Sequence, residues 1–361
     1  MNEIPDFDAL QRSVKPEEFQ EDPLPGWAGL GTLFGAPAAS ISDLDLPDGW
    51  AVAAVPFDST ASSRPGAAEG PRAVRQASVV FSSSLRSLGE WPMLDTRTGQ
   101  VFRYRAPRVV DVGDLHIYPT NTVRTFQAVA SETRLLLHRA GRAVFLNGDH
   151  STTFPTFAGF RAAQLDRHED PTIGFINIDH HFDYGNWSVL HGPLYHGSNS
   201  RRISELPGMD PKNIAFIGVG DVTKYDQYRG LIDAGYHVVP GARIVREGAQ
   251  RALRQAVEEL GQRCDTVYVS LDIDVLDTSA ASGTGHVTMS GIQIGDLLDV
   301  YEELRALPID ALDVAEIAPR YDSTGSTAQI VARLLFEFLF RTGQHDPGLA
   351  PWRTGGADET D

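Results

Sequence analysis

The amino-acid sequence predicts an α/β fold in which one mostly parallel sheet carries helices on both faces. Three observations point to it. From Trp50 onward, short apolar runs alternate with longer amphipathic segments, the pattern of strand and crossover helix. With 361 residues, 42% of them hydrophobic, the chain can bury a large core, as one big domain or two smaller ones. Helix punctuation falls between the runs: Asn121 is placed to cap one long amphipathic segment and Gly141 follows its last turn.

In chain order, residues 1–48 are rich in Pro, Asp and Glu and lack sustained periodicity, so they read as an N-terminal arm over the body or over a neighbouring subunit. The domain proper, 49–342, opens with WAVAAVPFD, whose β-rich run precedes the helical GPRAVRQASVVFSS. LGEWPMLDTRTGQVFRYR, near 88–105, reads as a loop or hairpin insertion. RVVDVGD then feeds the helix NTVRTFQAVASETRLLLHRAG, and AVFLNGDHS feeds a helix through FAGFRAAQL. TIGFINID and NIAFIGVGD are strand-like, and HVVPG is followed by the helical EGAQRALRQAVEELGQRC. TVYVSLDID precedes IQIGDLLDVYEELRAL, and ALDVAEIAP precedes TAQIVARLLFEFLF. The tail 343–361 is polar, rich in Gly, Pro and acid, and expected to fray.

Charge and cysteine content narrow the function. A net charge of -17 without a Lys/Arg cluster argues against nucleic-acid and membrane partners, and mildly favours cationic small molecules. No run of eighteen apolar residues occurs, and the acidic start MNEIPDFDAL lacks the features of a secretion signal, so the expected location is cytoplasmic. The lone Cys264 reads as a buried, inert thiol, which leaves His, Asp and Glu to hold any metal.

Such residues gather where a parallel sheet binds its ligands, beyond the carboxyl ends of the strands. Four runs end in them: Asp149 and His150; Asp179, His180, His181 and Asp183; Asp272, Asp274 and Asp277; and Glu316. In extended chain, Asp179, His181 and Asp183 share one face, as do Asp272 and Asp274, while His180 turns away. Several carboxylates at close range cannot all stay ionised without a counterion. Two divalent cations balance four aspartates, and His150 and His181 can complete the shells. Mixed oxygen and imidazole ligation suits Mn²⁺, Ni²⁺ or Fe²⁺ better than a thiolate zinc site. Two ions about 3.5–4 Å apart can share a water and ionise it near neutral pH, the chemistry of a hydrolase. A single Asp at a strand end is ordinarily a cap or turn former, and Asp277 reads so; the four ends together are hard to explain that way. His180, His116, His138, His168, His191 and His237 read as supporting or packing residues.

These stretches match a known family. NGDHS, DHHFD, SLDIDVLD and AEIAP, in that order, resemble the signature motifs of the ureohydrolases, which include arginase, agmatinase and guanidino-acid hydrolases. VPFDSTASSRPGAAEGPRAVR, HGSNSRR and YDSTGSTAQIVARLLFEFL extend the likeness to the agmatinase branch, from about 50 to 342. The resemblance implies a three-layer α/β/α fold, a two-metal centre with Mn²⁺ or Ni²⁺, and hydrolysis of a guanidino C–N bond, commonly releasing urea. It implies His150, Asp179, Asp183 and Asp274 at or bridging to one ion, with His181 and Asp272 completing the other side. Glu316 would accept hydrogen bonds from the substrate guanidinium and His196 would shuttle protons, with Asp183 counted among the catalytic groups as well. Trimers or hexamers are expected, including assembly with a homologous subunit.

Three positions depart from the pattern: Asn147 stands for a glycine, His180 for a small residue, and His286-Val287-Thr288 for a Thr-Pro-Glu segment. The last borders the substrate tail. Loss of its acidic group weakens recognition of an extra ammonium, so arginine and agmatine fit less well than a guanidino acid, guanidine, or a substituted guanidine or biguanide, with His286 as a substrate contact. Two other readings stand beside this one. Asp-His-His also occurs in two-metal phosphoesterases, but these need an upstream Asp-x-Asp-Gly unit that is absent here. A non-catalytic or partner-dependent subunit is the other.

Overall fold

Eight strands hydrogen-bond in parallel into one sheet of order β4-β1-β5-β10-β9-β6-β7-β8 in the computed structural model, which describes residues 31–81, 85, 91–220 and 222–341. The strands are β1 (Leu46–Val55), β4 (Val109–Asp114), β5 (Ala140–Asn147), β6 (Ile173–Ile178), β7 (Ile214–Val219), β8 (His237–Pro240), β9 (Thr266–Asp272) and β10 (Ile309–Ala315). Every residue of β6, β7 and β9 is buried, as strands covered on both faces require. The expected insertion forms a two-stranded antiparallel hairpin of β2 (Met93–Asp95) and β3 (Gln100–Phe102).

Helices cover both faces, giving three layers. On one side lie α2 (Thr122–Arg139), α3 (Thr153–Arg167), α4 (Asn199–Ser204) and α5 (Tyr225–Ala234), whose Leu136, Phe157, Ile203 and Leu231 join one apolar cluster with Phe175 and Phe216 of the sheet. On the other lie α1 (Gly70–Ser78), α6 (Gly241–Glu247), α7 (Ala249–Arg263), α8 (Ile294–Leu304) and α9 (Ser326–Phe340), whose Val74, Ile244, Leu253, Leu297 and Val331 join a second cluster with Ile176 and Val269. Burial of these side chains, at about 1.5–3 kcal/mol each, is the main force holding the layers together. No helix among the described residues is long and apolar enough to cross a membrane.

Local expectations meet mixed outcomes. Asn121 does cap α2, its side chain accepting from the Arg124 N–H at 3.0 Å. Gly141 does follow the helix, one residue past its C-cap Ala140, but without a left-handed conformation; it already lies in β5, and a Cβ there would lie 2.0 Å from Pro47 O, so the glycine also serves close strand approach. Within the expected arm, Leu33 and Phe34 are buried, and Phe34 packs edge-on against Phe336 and Phe340 of α9. Residues 1–30 and the tail beyond 341 lie outside the described residues.

Candidate metal centre

Four adjacent central strands, β5, β10, β9 and β6, deliver the expected residues to one place at their carboxyl ends. His150 follows β5 on a 3₁₀ turn whose N-cap is Asp149; Glu316 follows β10; Asp272 ends β9; Asp179 follows β6. Gly148 permits this crossing. A Cβ there would sit 2.0 Å from Phe57 O, the atom that accepts the Asp149 N–H, and Gly148 O in turn accepts from the Glu316 N–H at 2.8 Å. The departure at Asn147 lies one residue earlier, where a side chain fits, buried and with its amide reaching Thr153 Oγ1.

The residues converge, but not by extended alternation. β6 stops at Ile178, and Asp179 Oδ1 accepts the His181 N–H at 2.6 Å, closing a tight turn; Asp183 then takes φ +46°. Asp272 Oδ1 likewise accepts the Asp274 N–H at 2.9 Å. Short polar side chains bonding their own backbone two residues on are what bend these segments. His180 is among the residues lining the pocket and its ring packs against Gly220, where a Cβ would lie 2.2 Å from His180 Nε2.

Two groups result. In the first, His150 Nδ1 faces Asp183 Oδ2 at 2.8 Å, Asp272 Oδ2 at 3.1 Å and Asp179 Oδ2 at 3.4 Å. In the second, His181 Nδ1 faces Asp274 Oδ2 at 3.2 Å and Asp179 Oδ1 at 3.5 Å. Asp179 thus gives one oxygen to each. The expected division is exchanged at one point, with Asp272 facing His150 and Asp274 facing His181. Asp272 is still on β9 inside the sheet, whereas Asp274 has left it on the following turn.

The electrostatics are those of a site built for cations. Burial, then the charges of Asp274 and Asp179, push Asp272 well above the usual carboxylate range; burial and Asp179 push Asp274 up to about 7. Asp183 is raised by burial and by Asp179. Asp179, although burial opposes its charge, is held below the usual range by His150 and His181. Asp274 Oδ1 is buried without a hydrogen-bond partner, and His150 Nδ1 stands 2.8–3.4 Å from three carboxylate oxygens, more than one ring nitrogen can satisfy. Divalent cations resolve both at once, and imidazole with carboxylate is the donor set that Mn²⁺ and Ni²⁺ accept.

A buried network that sequence reading missed orients His150. Tyr268 OH and Ser270 Oγ both donate to Asp313, at 2.7 and 2.8 Å, so the single hydroxyl proton of Ser270 is used. His150 Nε2, 3.0 Å from Ser270 Oγ, is therefore the donor there, and Nδ1 keeps its lone pair for the carboxylate side. Burial pushes Asp313 up to about 6, against the opposing effect of His150 and of the Tyr268 and Ser270 hydrogen bonds. The available signal was Ser270 and Asp313 standing polar inside otherwise apolar strands.

Glu316, at φ +63° and buried, accepts the His150 N–H and the His196 Nδ1 proton on Oε1, at 2.9 and 3.2 Å; Oε2 has no protein donor among the described residues. His196 Nε2 meets Ser62 Oγ at 2.6 Å, a second residue sequence reading missed. Burial disfavours charge on His196, but Glu316, then Asp183 and Asp149, outweigh it and raise its pKa to about 9. His196 with Glu316 lowers the latter. Asp183 and Asp272 of the first group, His181 and Asp274 of the second, and His196, Glu316 and His286 line one pocket of about 650 Å³, whose lining also includes Tyr195, Val222, Thr223 and Lys224.

The chain is 29% identical over 326 residues to guanidinopropionase of Pseudomonas aeruginosa, covering 90% of this chain and 95% of that one. It is 29% identical over 286 residues to the mitochondrial guanidino acid hydrolase of Homo sapiens, covering 79% and 76%. Proclavaminate amidino hydrolase from Streptomyces clavuligerus superposes with a TM-score of 0.71 at 25% identity, covering 88% of this chain and 98% of that one. A sequence profile described as the arginase family matches residues 48–341, most of the chain. The chain belongs to the arginase family, whose members hydrolyse C–N bonds of linear amidines.

Proposed function

We propose that this chain hydrolyses a small guanidino compound, releasing urea, with one divalent cation held by His150, Asp179, Asp183 and Asp272 and a second by His181, Asp274 and Asp179. What carries the reading is that the two groups share Asp179 and open onto the same pocket floor as Glu316 and His196. Bound divalent cations supply a nucleophile by lowering the pKa of water from about 15.7 toward 7. Glu316 Oε2 is free to accept from the guanidinium N–H groups and hold the planar cation in line for attack. His196, protonated below about pH 9, gives its proton to the departing nitrogen as the C–N bond breaks. Ser62 and Glu316 hold the two sides of its ring.

The substrate tail is not a cation. Position 286 carries an imidazole, Thr288 is buried, and Lys224 lines the pocket, so this loop offers a distal ammonium no carboxylate partner and suits a carboxylate or a short neutral group. Guanidinopropionase and guanidino acid hydrolase are relatives whose named activities fit this reading, and agmatinases of Gallus gallus and Sodalis glossinidius are equally similar, so the assay panel includes agmatine. A guanidino acid, guanidine, or a substituted guanidine or biguanide is the expected class, with Mn²⁺ or Ni²⁺. The proposal includes a cytoplasmic location and a trimer or hexamer, checked by fractionation and light scattering.

The test is a panel of guanidino acids, guanidine, biguanides, agmatine and arginine, with a phosphodiester as control, assayed for urea and amine release with Mn²⁺ and with Ni²⁺. Release from one of the first three classes, ahead of agmatine and arginine, is expected. A chain that binds two ions yet turns over no guanidino compound refutes it as a self-sufficient enzyme and points to a subunit needing a homologous partner.

A further inference from the structure

The loop that carries His286 is braced rather than loose. Arg64 donates to Thr284 O at 3.0 Å and to Gly285 O at 3.2 Å, with its guanidinium 4.3 Å over the Tyr321 ring. Ser63 Oγ also donates to Gly285 O, Thr284 bridges to Ile317 beside Glu316, and the Thr278 N–H donates to Thr288 O at 2.7 Å. Gly285 lies so close to Arg64 that a Cβ would sit 2.6 Å from its carbonyl oxygen. Both flanks of His286 are pinned.

What this bracing aims is an imidazole at the second group. One ligand atom from each of His286, His181 and Asp274 lies within 4.8 Å of the others, and the rings of His181 and His286 are 4.7 Å apart, tilted by 37°. Donors sharing an ion at about 2.0–2.2 Å each stand no more than about 4.4 Å apart, a range the 3.2 Å between His181 Nδ1 and Asp274 Oδ2 already meets. The His286 ring has no hydrogen-bond partner among the described residues; its one hydrogen bond runs from the backbone N–H to Thr284 Oγ1.

Resting on the metal centre proposed above, we propose that His286 is a ligand of the second cation, which makes the two halves of the centre chemically different. The first half offers one imidazole and three carboxylates; the second offers two imidazoles, Asp274 and one oxygen of Asp179. Imidazole favours later first-row ions, whereas a carboxylate-rich set accepts Mn²⁺. The second half therefore prefers Ni²⁺ over Mn²⁺, and the first discriminates less.

The test uses the full chain stripped of metal, titrated calorimetrically with Ni²⁺ and separately with Mn²⁺, with ion counts by elemental analysis and the visible spectrum of the Co²⁺ form. In His286→Ala, one of two Ni²⁺ ions is expected to bind roughly tenfold or more weakly, with the other unchanged and Mn²⁺ little affected. The Co²⁺ band should change, and added imidazole should restore Ni²⁺ affinity. His286→Gln should behave as His286→Ala, and melting of the metal-free variants should match the parent, since the ring holds no core contact. Equal Ni²⁺ affinities and an unaltered Co²⁺ spectrum in both variants would overturn the inference alone and leave His286 a substrate contact. Failure of the parent to bind any divalent ion would overturn the centre itself.

Discussion

Replacing Ser270 with alanine removes one fully buried oxygen and leaves the backbone and packing volume nearly unchanged, so its effect isolates the network behind His150. Three contacts go at once: His150 Nε2 at 3.0 Å, Asp313 Oδ1 at 2.8 Å and Thr153 Oγ1 at 3.2 Å. Asp313 keeps Tyr268, but the His150 Nε2–H loses its acceptor in a place water does not reach. An orphaned buried polar group costs about 1–3 kcal/mol, and two partners are affected, so the metal-free chain should lose about 2–4 kcal/mol. The tautomer of His150 is then no longer set, and divalent-ion affinity should fall roughly 10–100-fold. Urea unfolding of the metal-free variant and calorimetric titration with Mn²⁺ measure the two effects. Asp313→Asn should show both, and the double variant should cost less than the sum, because the residues act through one chain of bonds. A Ser270→Ala midpoint matching the parent, with ion affinity within about twofold, would refute the assignment of this network to His150.

Two further outcomes follow from the site's titrating groups. His196→Asn should lower turnover roughly 10²–10⁴-fold. The parent's rate should fall as pH rises through about 9, where His196 loses its proton, and this limb should be missing from the variant's profile; a limb that persists contradicts the proton-donor role. In the metal-free chain, Asp274 is raised to about 7 and Asp272 and Asp183 are also raised, while unfolded Asp ionises near 3.9. Raised groups favour the folded state fully below the unfolded pKa and lose that contribution as pH rises through the folded value. The metal-free chain should therefore lose stability between about pH 4 and pH 7, and Mn²⁺ or Ni²⁺ should raise the melting temperature more at pH 8 than at pH 5, read by thermal scans.

Much of this protein can be read along the chain. The inner strands were legible because strands buried on both faces must be largely apolar, and that composition survives in any local window, whereas the edge strands β4 and β8 are only partly buried. The polar residues of the candidate site were legible for a related reason: Asp149, His150, Asp179, Asp272 and Glu316 each interrupt such a run at its carboxyl end. Gly141 follows its helix as expected, but its second role, close approach to Pro47 of β1, shows only once that strand is placed beside it. Ser62 stayed hidden because its partner, His196, is 134 residues away.

By itself, then, the sequence determined the sheet, the family resemblance and the identity of the charged groups at the strand ends, since these depend on burial and local order. Only the tertiary structure decided that Asp272 faces His150 and Asp274 faces His181, that Asp179 serves both, and that Ser270 and Asp313 aim an imidazole. Those facts depend on which strands lie side by side and on turns that reverse the direction of a side chain within two residues, and neither is set by spacing along a chain.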